Sequence, residues 1–413
     1  MHRTGLEAPV SVERIVVPTR VGVNRLVVMI LLVGLLGAGC APGVLVFGSI
    51  SGWAYKDSQA LSLDGEAVEK IVIMAEQTKS ATYSPLQGAT VLVQGPTSTQ
   101  VTTNSSGYFS ATSLRPGSYK VTVYHPQYVD WLEVHCTVFP GLDTYVGTRV
   151  LGSLHILTIG INEYEGDPSN RLRFAVADAI AARDSLYYGN FLAGQYVQLT
   201  DTQAKKLDII KAIQVVGSRT NANDTFIMFY SGHGAQDGSI SPAHEYIIAQ
   251  DLERISDEEL STWISLYVNA GRRIFVFDSC YSGGMFQSLD FGKNLKRSTG
   301  FEVMAKNLSQ AGNIVITASA KNEVSWEDGA LGRGVFSYYF TQGFDQRIVS
   351  GGKQYCVADA DRNDLVDATE IYNYVRDQMR AYFGGLPPYP QNPQIYYGPP
   401  GSQMNAYLYR IPR

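Results

Sequence analysis

An α/β domain with a mostly parallel sheet and helices on both faces, preceded by a small all-β sandwich, is the fold this sequence predicts. Three observations predict it. From about residue 151 onward, continuous apolar runs alternate with helical stretches, as expected of strands buried on both faces by helices. Before that point, over residues 48–150, short β-branched runs are separated by turn signals instead. At 413 residues the chain is also too long for one ordinary domain.

Residues 1–40 read as an export signal. Arg20 and Arg25 precede the apolar run 26–36, which is followed by Gly37, Ala38, Gly39 and Cys40. Up to Gly39 the run is about 14 residues, short of the ~20 that span a bilayer. Small residues before a cysteine resemble a bacterial lipobox, with Gly37 where Leu or Val is usual. That resemblance implies a lipidated Cys40 as the mature N-terminus, and a membrane-anchored protein on the periplasmic or extracellular face. The alternative is a single anchoring helix continuing to Ile50, which Pro42 and the nearby glycines oppose.

Over residues 48–150 the predicted strands are 89–94, 100–103, 108–110, 118–124 and 133–139. Gly95-Pro96, Asn104-Ser105-Ser106-Gly107 and Arg115-Pro116-Gly117 supply the turns between them. The stretches 86–93, 102–109 and 114–123 resemble the carboxypeptidase-regulatory-like module. That resemblance implies a spacer or adhesion role and carries no catalytic residue.

Residues 151–413 form the second predicted domain. Strands are expected at 154–161, 196–199, 225–230, 246–249, 273–277 and 314–318, and helices at 174–186, 205–216, 257–268 and 335–344. In open parallel sheets the working residues gather at the carboxyl ends of the strands. Two motifs fall there: Tyr230-Ser231-Gly232-His233-Gly234 and Asp278-Ser279-Cys280-Tyr281-Ser282-Gly283-Gly284. Thiolate attack on a peptide bond needs a sulfur nucleophile and an imidazole to take and return its proton. His233 and Cys280, 47 positions apart, are that pair of residue types.

Together these motifs resemble the caspase-like cysteine peptidases, nearest the metacaspase and bacterial branch. The resemblance runs from Leu154 to about Tyr397. It includes Leu157-Thr-Ile-Gly-Ile-Asn162, Ala318-Ser-Ala, Gly334-Val-Phe-Ser and Gln391-Asn-Pro. Caspases carry Gln-Ala-Cys at the nucleophile with the histidine ~50 residues upstream; this chain has Asp-Ser-Cys, as metacaspases do. The resemblance implies Cys280 as nucleophile, His233 as general base and then acid, and backbone donors of Gly234 and Cys280 as the oxyanion hole. No third orienting side chain is evident in the sequence. A structural histidine beside an inert cysteine, in a silent scaffold or binding protein at the cell surface, is the competing reading.

Metacaspases place a carboxylate two residues before the nucleophile and a second in their first helix. The matching positions here are Asp278 and Asp178, with Ser231 as a further wall of the pocket. Two carboxylates facing one cation suit protein or peptide substrates with Arg or Lys at P1. Asp178 could instead cap its helix or pair locally with Arg173 or Arg183. Arg171 and Arg173 also keep an Asp-cutting enzyme open. The polar, glycine-containing stretches 287–298 and 343–352, with Lys293, Lys296, Arg297 and Arg347, are candidates for processing or lid movement.

Catalysis of this kind requires no cofactor, but one segment has calcium-ligand spacing. Asp359, Asp361, Asn363, Asp367 and Glu370 supply oxygen donors at positions 1, 3, 5, 9 and 12 of an EF-hand-like loop, and Leu365 its carbonyl at position 7. Asp364 stands where a glycine is usual, and no entering helix is expected. An acidic loop capping the helix after it is the alternative. The net charge of −5, with no basic stripe, argues against nucleic acid as a partner. No zinc spacing and no Gly-x-Ser-x-Gly elbow with a suitable acid and base is present. A Cys136–Cys356 disulfide would join the two domains and is not favoured.

Overall fold

All seven residues of the strand Leu154–Gly160 (β1) are buried, as the unbroken apolar run requires. It lies inside a sheet with Gly194–Thr200 (β2), Thr225–Gly232 (β3), Arg272–Ser279 (β4), Asn313–Thr317 (β5) and Gln394–Tyr397 (β6). The order is β2-β1-β3-β4-β5-β6, parallel throughout except for β6. A computed structural model describes residues 46–57, 63–64, 83–128, 131–192, 194–237, 245–279, 295–297, 304, 306, 308, 312–320, 323–385, 390–399 and 406–411. The export segment with Cys40, and the nucleophile candidate Cys280, lie outside these residues.

Strand side chains alternate, so each strand feeds both faces of the sheet. On one face Leu157, Ile159, Met228 and Phe275 pack with helices Lys206–Gly217 (α2) and Asp257–Tyr267 (α3). On the other, Ile156, Phe229, Val276 and Ile316 pack with Ala175–Arg183 (α1), Val335–Asp345 (α4) and Ala368–Tyr382 (α5). Phe336, Phe340 and Phe344 form a stripe at helical spacing along α4, with Phe340 packed 5.8 Å from Phe229. Truncating such a ring to alanine typically costs ~3–5 kcal/mol.

Chain order sets where a ligand can sit. From β1 the chain crosses to β2 on one side and returns to β3 on the other. Beyond the carboxyl ends of β1 and β3 this leaves the crevice of a topological switch point.

The all-β region is a pair of sheets closed around Ile50, Val91, Phe109, Val121 and Val123. One sheet holds Thr99–Thr102, Thr90–Gln94, Gly117–Tyr124 and Trp131–Val138, all antiparallel. In the other, Gly48–Asp57 pairs antiparallel with Tyr83–Pro85 and Tyr108–Leu114 but parallel with Asp143–Leu151. The sandwich is thus antiparallel except at one pair. Leu63–Asp64, from between the sandwich strands, pairs in parallel with β2 and extends the central sheet. No helix among the described residues is long and apolar enough to cross a membrane.

Several boundaries shift for local reasons. The first helix ends at Arg183 and continues as a π-helical turn, Asp184–Tyr188. The run 246–249 is an antiparallel strand, Glu245–Ile248, outside the main sheet. The stretch 343–352 is no open loop. Gly343 lies in α4, and Arg347–Ser350 pairs with Lys353–Cys356, with the Arg347 guanidinium donating to the Tyr409 hydroxyl at 2.9 Å. Lys296 and Arg297 sit in a short strand paired with Ala235–Asp237, while Lys293 lies outside the described residues. Cys136 and Cys356 are both free thiols.

Candidate active site

The last registered pair of β3 and β4 is Gly232 with Ser279. His233 follows one of these residues directly, and Cys280 the other. Side-by-side parallel strands therefore end together, each one position in sequence before one of the two residues whose chemistry is complementary.

His233 is buried, and both its ring and its backbone are held by neighbours. The Tyr164 ring stacks on it at 4.7 Å, and the His233 backbone N–H donates to the Tyr164 hydroxyl at 2.7 Å. The imidazole Nε2 donates to the Asn170 carbonyl oxygen at 2.6 Å. A carbonyl accepts only, so the proton sits on Nε2 and the neutral ring carries its basic lone pair on Nδ1. Tyr230 closes the turn by donating to the carbonyls of His233 and Ile248, at 2.6 and 3.0 Å. A Cβ on Gly232 would meet the hydroxyls of Tyr230 and Tyr164 at 2.6 and 3.0 Å, so a larger residue here would displace the two tyrosines that hold His233. Gly234 is buried opposite Ile247 of the next strand.

Ser231 and Asp278 are register partners on β3 and β4. Each is two residues beyond a core side chain, Phe229 and Val276, and so continues the α1/α4 face of the sheet with polar groups. Asp178, in the first turn of α1, descends onto the same spot. Ser231 Oγ donates to Asp178 at 3.2 Å, and the Gly334 N–H donates to the same carboxylate at 3.1 Å. Asp278 accepts from Ser325 Oγ at 2.6 Å and from the Ser337 hydroxyl and N–H at 2.5 and 3.2 Å.

Both carboxylates are fully buried. Burial pushes Asp178 well above the ordinary carboxylate range, Asp278 pushes it further, and Arg333 and the Gly334 N–H pull it back. Burial likewise raises Asp278, against the hydroxyls of Ser325 and Ser337. A Cβ on Gly334 would lie 2.7 Å from Asp278 Oδ2 and 3.0 Å from Asp178 Oδ2. The two acids thus face each other across the space of one methyl group.

The local pairing alternatives for Asp178 are not realised. Arg183 pairs with Asp184, and Arg173 lies over the Phe174 ring. Asp178 pairs instead with Arg333, 155 residues away in sequence, at 3.5 Å. Arg171 pairs with Glu163 at the surface.

Several site residues escaped the sequence reading. Tyr164 lies two positions beyond the Leu157–Asn162 motif, and Ser337 is the fourth residue of Gly334-Val-Phe-Ser. Both were close to recognised signals. Asn170 acts through its main chain and Ser325 is an isolated bridge residue outside the recognised motifs, so neither left a side-chain signature. Gln391 has a role the motif alone did not explain. Its amide donates to Ser325 Oγ and the Ala318 carbonyl, both at 3.0 Å, so it supports the hydroxyl on Asp278.

The acidic loop stands apart, before α5. Carboxylate oxygens of Asp359, Asp361 and Glu370 lie within 4.8 Å of one another, a donor set that fits a hard divalent cation. Asn363 accepts from the Leu365 N–H, and Asp367 caps α5 through the N–H groups of Thr369 and Glu370, both at 2.8 Å. The capping alternative is therefore realised at Asp367. Asp364, in the glycine position, adopts φ 74°, the left-handed turn such a loop needs.

Residues 154–400, more than half of the chain, match the family profile of the caspase domain. Residues 77–148 match the carboxypeptidase regulatory-like domain. Metacaspase-1B of Aspergillus fumigatus and Metacaspase-1B of Neosartorya fischeri are each 31% identical over 149 residues, 32% of this chain and 36% of theirs. The chain thus spans about a third of the length of these curated relatives. A solved structure of a Geobacter sulfurreducens protein is 18% identical, covering 60% of this chain and 94% of that one, with a TM-score of 0.42. With a caspase domain covering most of its length behind a carboxypeptidase-regulatory-like sandwich, the chain belongs to the caspase-domain family of cysteine peptidases.

Proposed function

We propose that this protein is an exported cysteine endopeptidase that cleaves after Arg or Lys through Cys280 and His233. The observation that carries the reading is the pair of buried carboxylates, Asp178 and Asp278, beside the strand ends that lead to the two residues. An acid pair with raised proton affinity is costly to bury, and a substrate guanidinium or ammonium recovers that cost.

In this mechanism His233 Nδ1 takes the Cys280 thiol proton, and the thiolate sulfur attacks the scissile carbonyl carbon. Backbone N–H groups of Gly234 and Cys280 hold the oxyanion. His233 then returns the proton to the leaving amine, and water hydrolyses the thioester to free the thiol. The Asn170 carbonyl supports the tautomer this requires.

Lipidation at Cys40 would tether the enzyme to a bacterial membrane, with the β-sandwich as spacer. The acidic loop would bind calcium as a structural ion outside the reaction. Fluorogenic peptides with Arg, Lys, Asp or Asn at P1, incubated with wild type and Cys280→Ala in calcium and in chelator, test the proposal. Cysteine-dependent cutting after Arg or Lys supports it. Cutting after Asp overturns the pocket assignment, and silence of a folded protein under every condition favours the scaffold reading. Unchanged melting on adding calcium would remove the ion from the account.

A further inference from the structure

The two buried acids share one half-buried cation. Arg333 immediately precedes Gly334, the residue between the carboxylates, and its Nε lies 3.5 Å from Asp178 Oδ1. The rest of the guanidinium is tethered away from the pocket. Nη1 donates to the Ala177 carbonyl and Nη2 to Thr341 Oγ1, both at 3.0 Å. Arg333 is therefore held on α1 and α4 and cannot swing across as a competitor for the substrate's place.

We propose that Arg333 is a positioning residue that lowers the proton affinity of the Asp178–Asp278 pair, so that an arriving P1 cation has less proton to displace. This rests on the reading of the pocket as a site for basic P1 residues. When both carboxylates are ionised, they and the guanidinium leave a single negative charge, which one Arg or Lys side chain neutralises. Without Arg333, two adjacent buried acids would retain a proton between them, and an arriving cation would have to expel it. Binding would then release a proton and weaken as pH falls.

Charged groups around this trio act in the same direction or at its edge. Asp184 and Asp345 face Arg333 and favour its protonated form, while burial opposes it. Arginine starts so far above neutral that it stays charged throughout. Glu327 receives the N–H groups of Arg173 and Phe174 at the start of α1, and interacts with both Asp278 and Arg173. Asp278 itself takes hydrogen bonds from the neutral donors of Ser325 and Ser337, and Arg333 acts on it through charge.

The test is calorimetric titration of benzamidine, an uncleavable P1 cation, into the full chain carrying Cys280→Ala, from pH 6 to 8. Arg333→Gln and Arg333→Lys are added to that background, with thermal melts to check folding. His233 is common to all three proteins. We expect the background affinity to depend on pH less steeply than that of Arg333→Gln, with fewer protons released per benzamidine. With Arg333→Gln, affinity should fall about tenfold per pH unit below 7, with close to one proton released per benzamidine. Arg333→Lys should restore the background profile. Thr341→Val, which removes one tether and leaves the charge, should shift the profile in the same direction by less, and serves if Arg333→Gln does not fold. Superimposable profiles for the background and the variant that folds would overturn the role of Arg333 while leaving the pocket assignment standing. No benzamidine binding by the folded background would overturn the pocket assignment and this proposal with it.

Discussion

His233 Nε2 donates to the carbonyl oxygen of Asn170 across 63 residues of sequence. This contact gives the imidazole an orienting partner that is neutral and belongs to the main chain. It selects the tautomer as a carboxylate would, without adding a negative charge to stabilise the imidazolium. Its precision depends on how firmly residues 167–170 are held.

Asp167 does that holding. It accepts from Ser169 Oγ at 2.6 Å and from the Asn170 side-chain amide. Asp167→Ala should lower kcat about tenfold, with KM for an Arg-P1 peptide little changed, because only ring orientation is disturbed. A rise in KM with kcat preserved would place this turn in substrate binding instead.

Tyr164 contributes a ring face and a hydroxyl acceptor to His233. Tyr164→Phe keeps the stacking and removes a hydrogen bond worth ~1 kcal/mol, so a loss of about fivefold in kcat/KM is expected. Tyr164→Ala also loses the stack, worth ~0.5–1.5 kcal/mol, and should cost tenfold or more. Steady-state kinetics on the two variants checks the order.

Gly334 has ordinary extended backbone, φ −62° and ψ 138°, so alanine there is strained only by space. Its methyl would sit between the carboxylates of Asp178 and Asp278. Gly334→Ala should therefore reduce cleavage after Arg and Lys at least about a hundredfold, by blocking a charge-assisted pair worth several kcal/mol. Undiminished turnover of Arg and Lys peptides by this variant would show that the P1 side chain binds elsewhere.

Thiol reactivity should distinguish the cysteines. Burial pushes the Cys356 thiol up to about 12, and burial raises Cys136 as well. Brief alkylation of native protein at pH 7 should modify Cys280 first and abolish activity, with Cys356 reacting only after unfolding. Peptide mapping by mass spectrometry reads this directly.

Glu370 carries a pH signature. Burial raises its folded value to about 7 from the ordinary 4.5, so the folded protein binds this proton more tightly than the unfolded chain. The sign follows: without a cation, this group makes stability decline as pH rises from about 4.5 through 7. Glu370→Gln should flatten that decline in chelator, as followed by melting temperature from pH 4.5 to 8. An unaltered slope would remove Glu370 from the pH dependence.

By itself the sequence determined the layered α/β architecture, because apolar runs such as 225–230 and 273–277 can only be strands covered on both faces. It also determined that His233 follows β3 and that Asp278 lies near the end of β4, since both are local to those strands. Only the tertiary structure decided what those residues meet. Asn170, Ser325 and Arg333 reach the site from loops and strands far along the chain, and periodicity carries no information about such contacts. The parallel pairing of Asp143–Leu151 and the added strand Leu63–Asp64 were hidden for the same reason. Strand identity is written in neighbouring residues, whereas strand partners and the ionisation of a buried acid depend on distant groups brought together by folding.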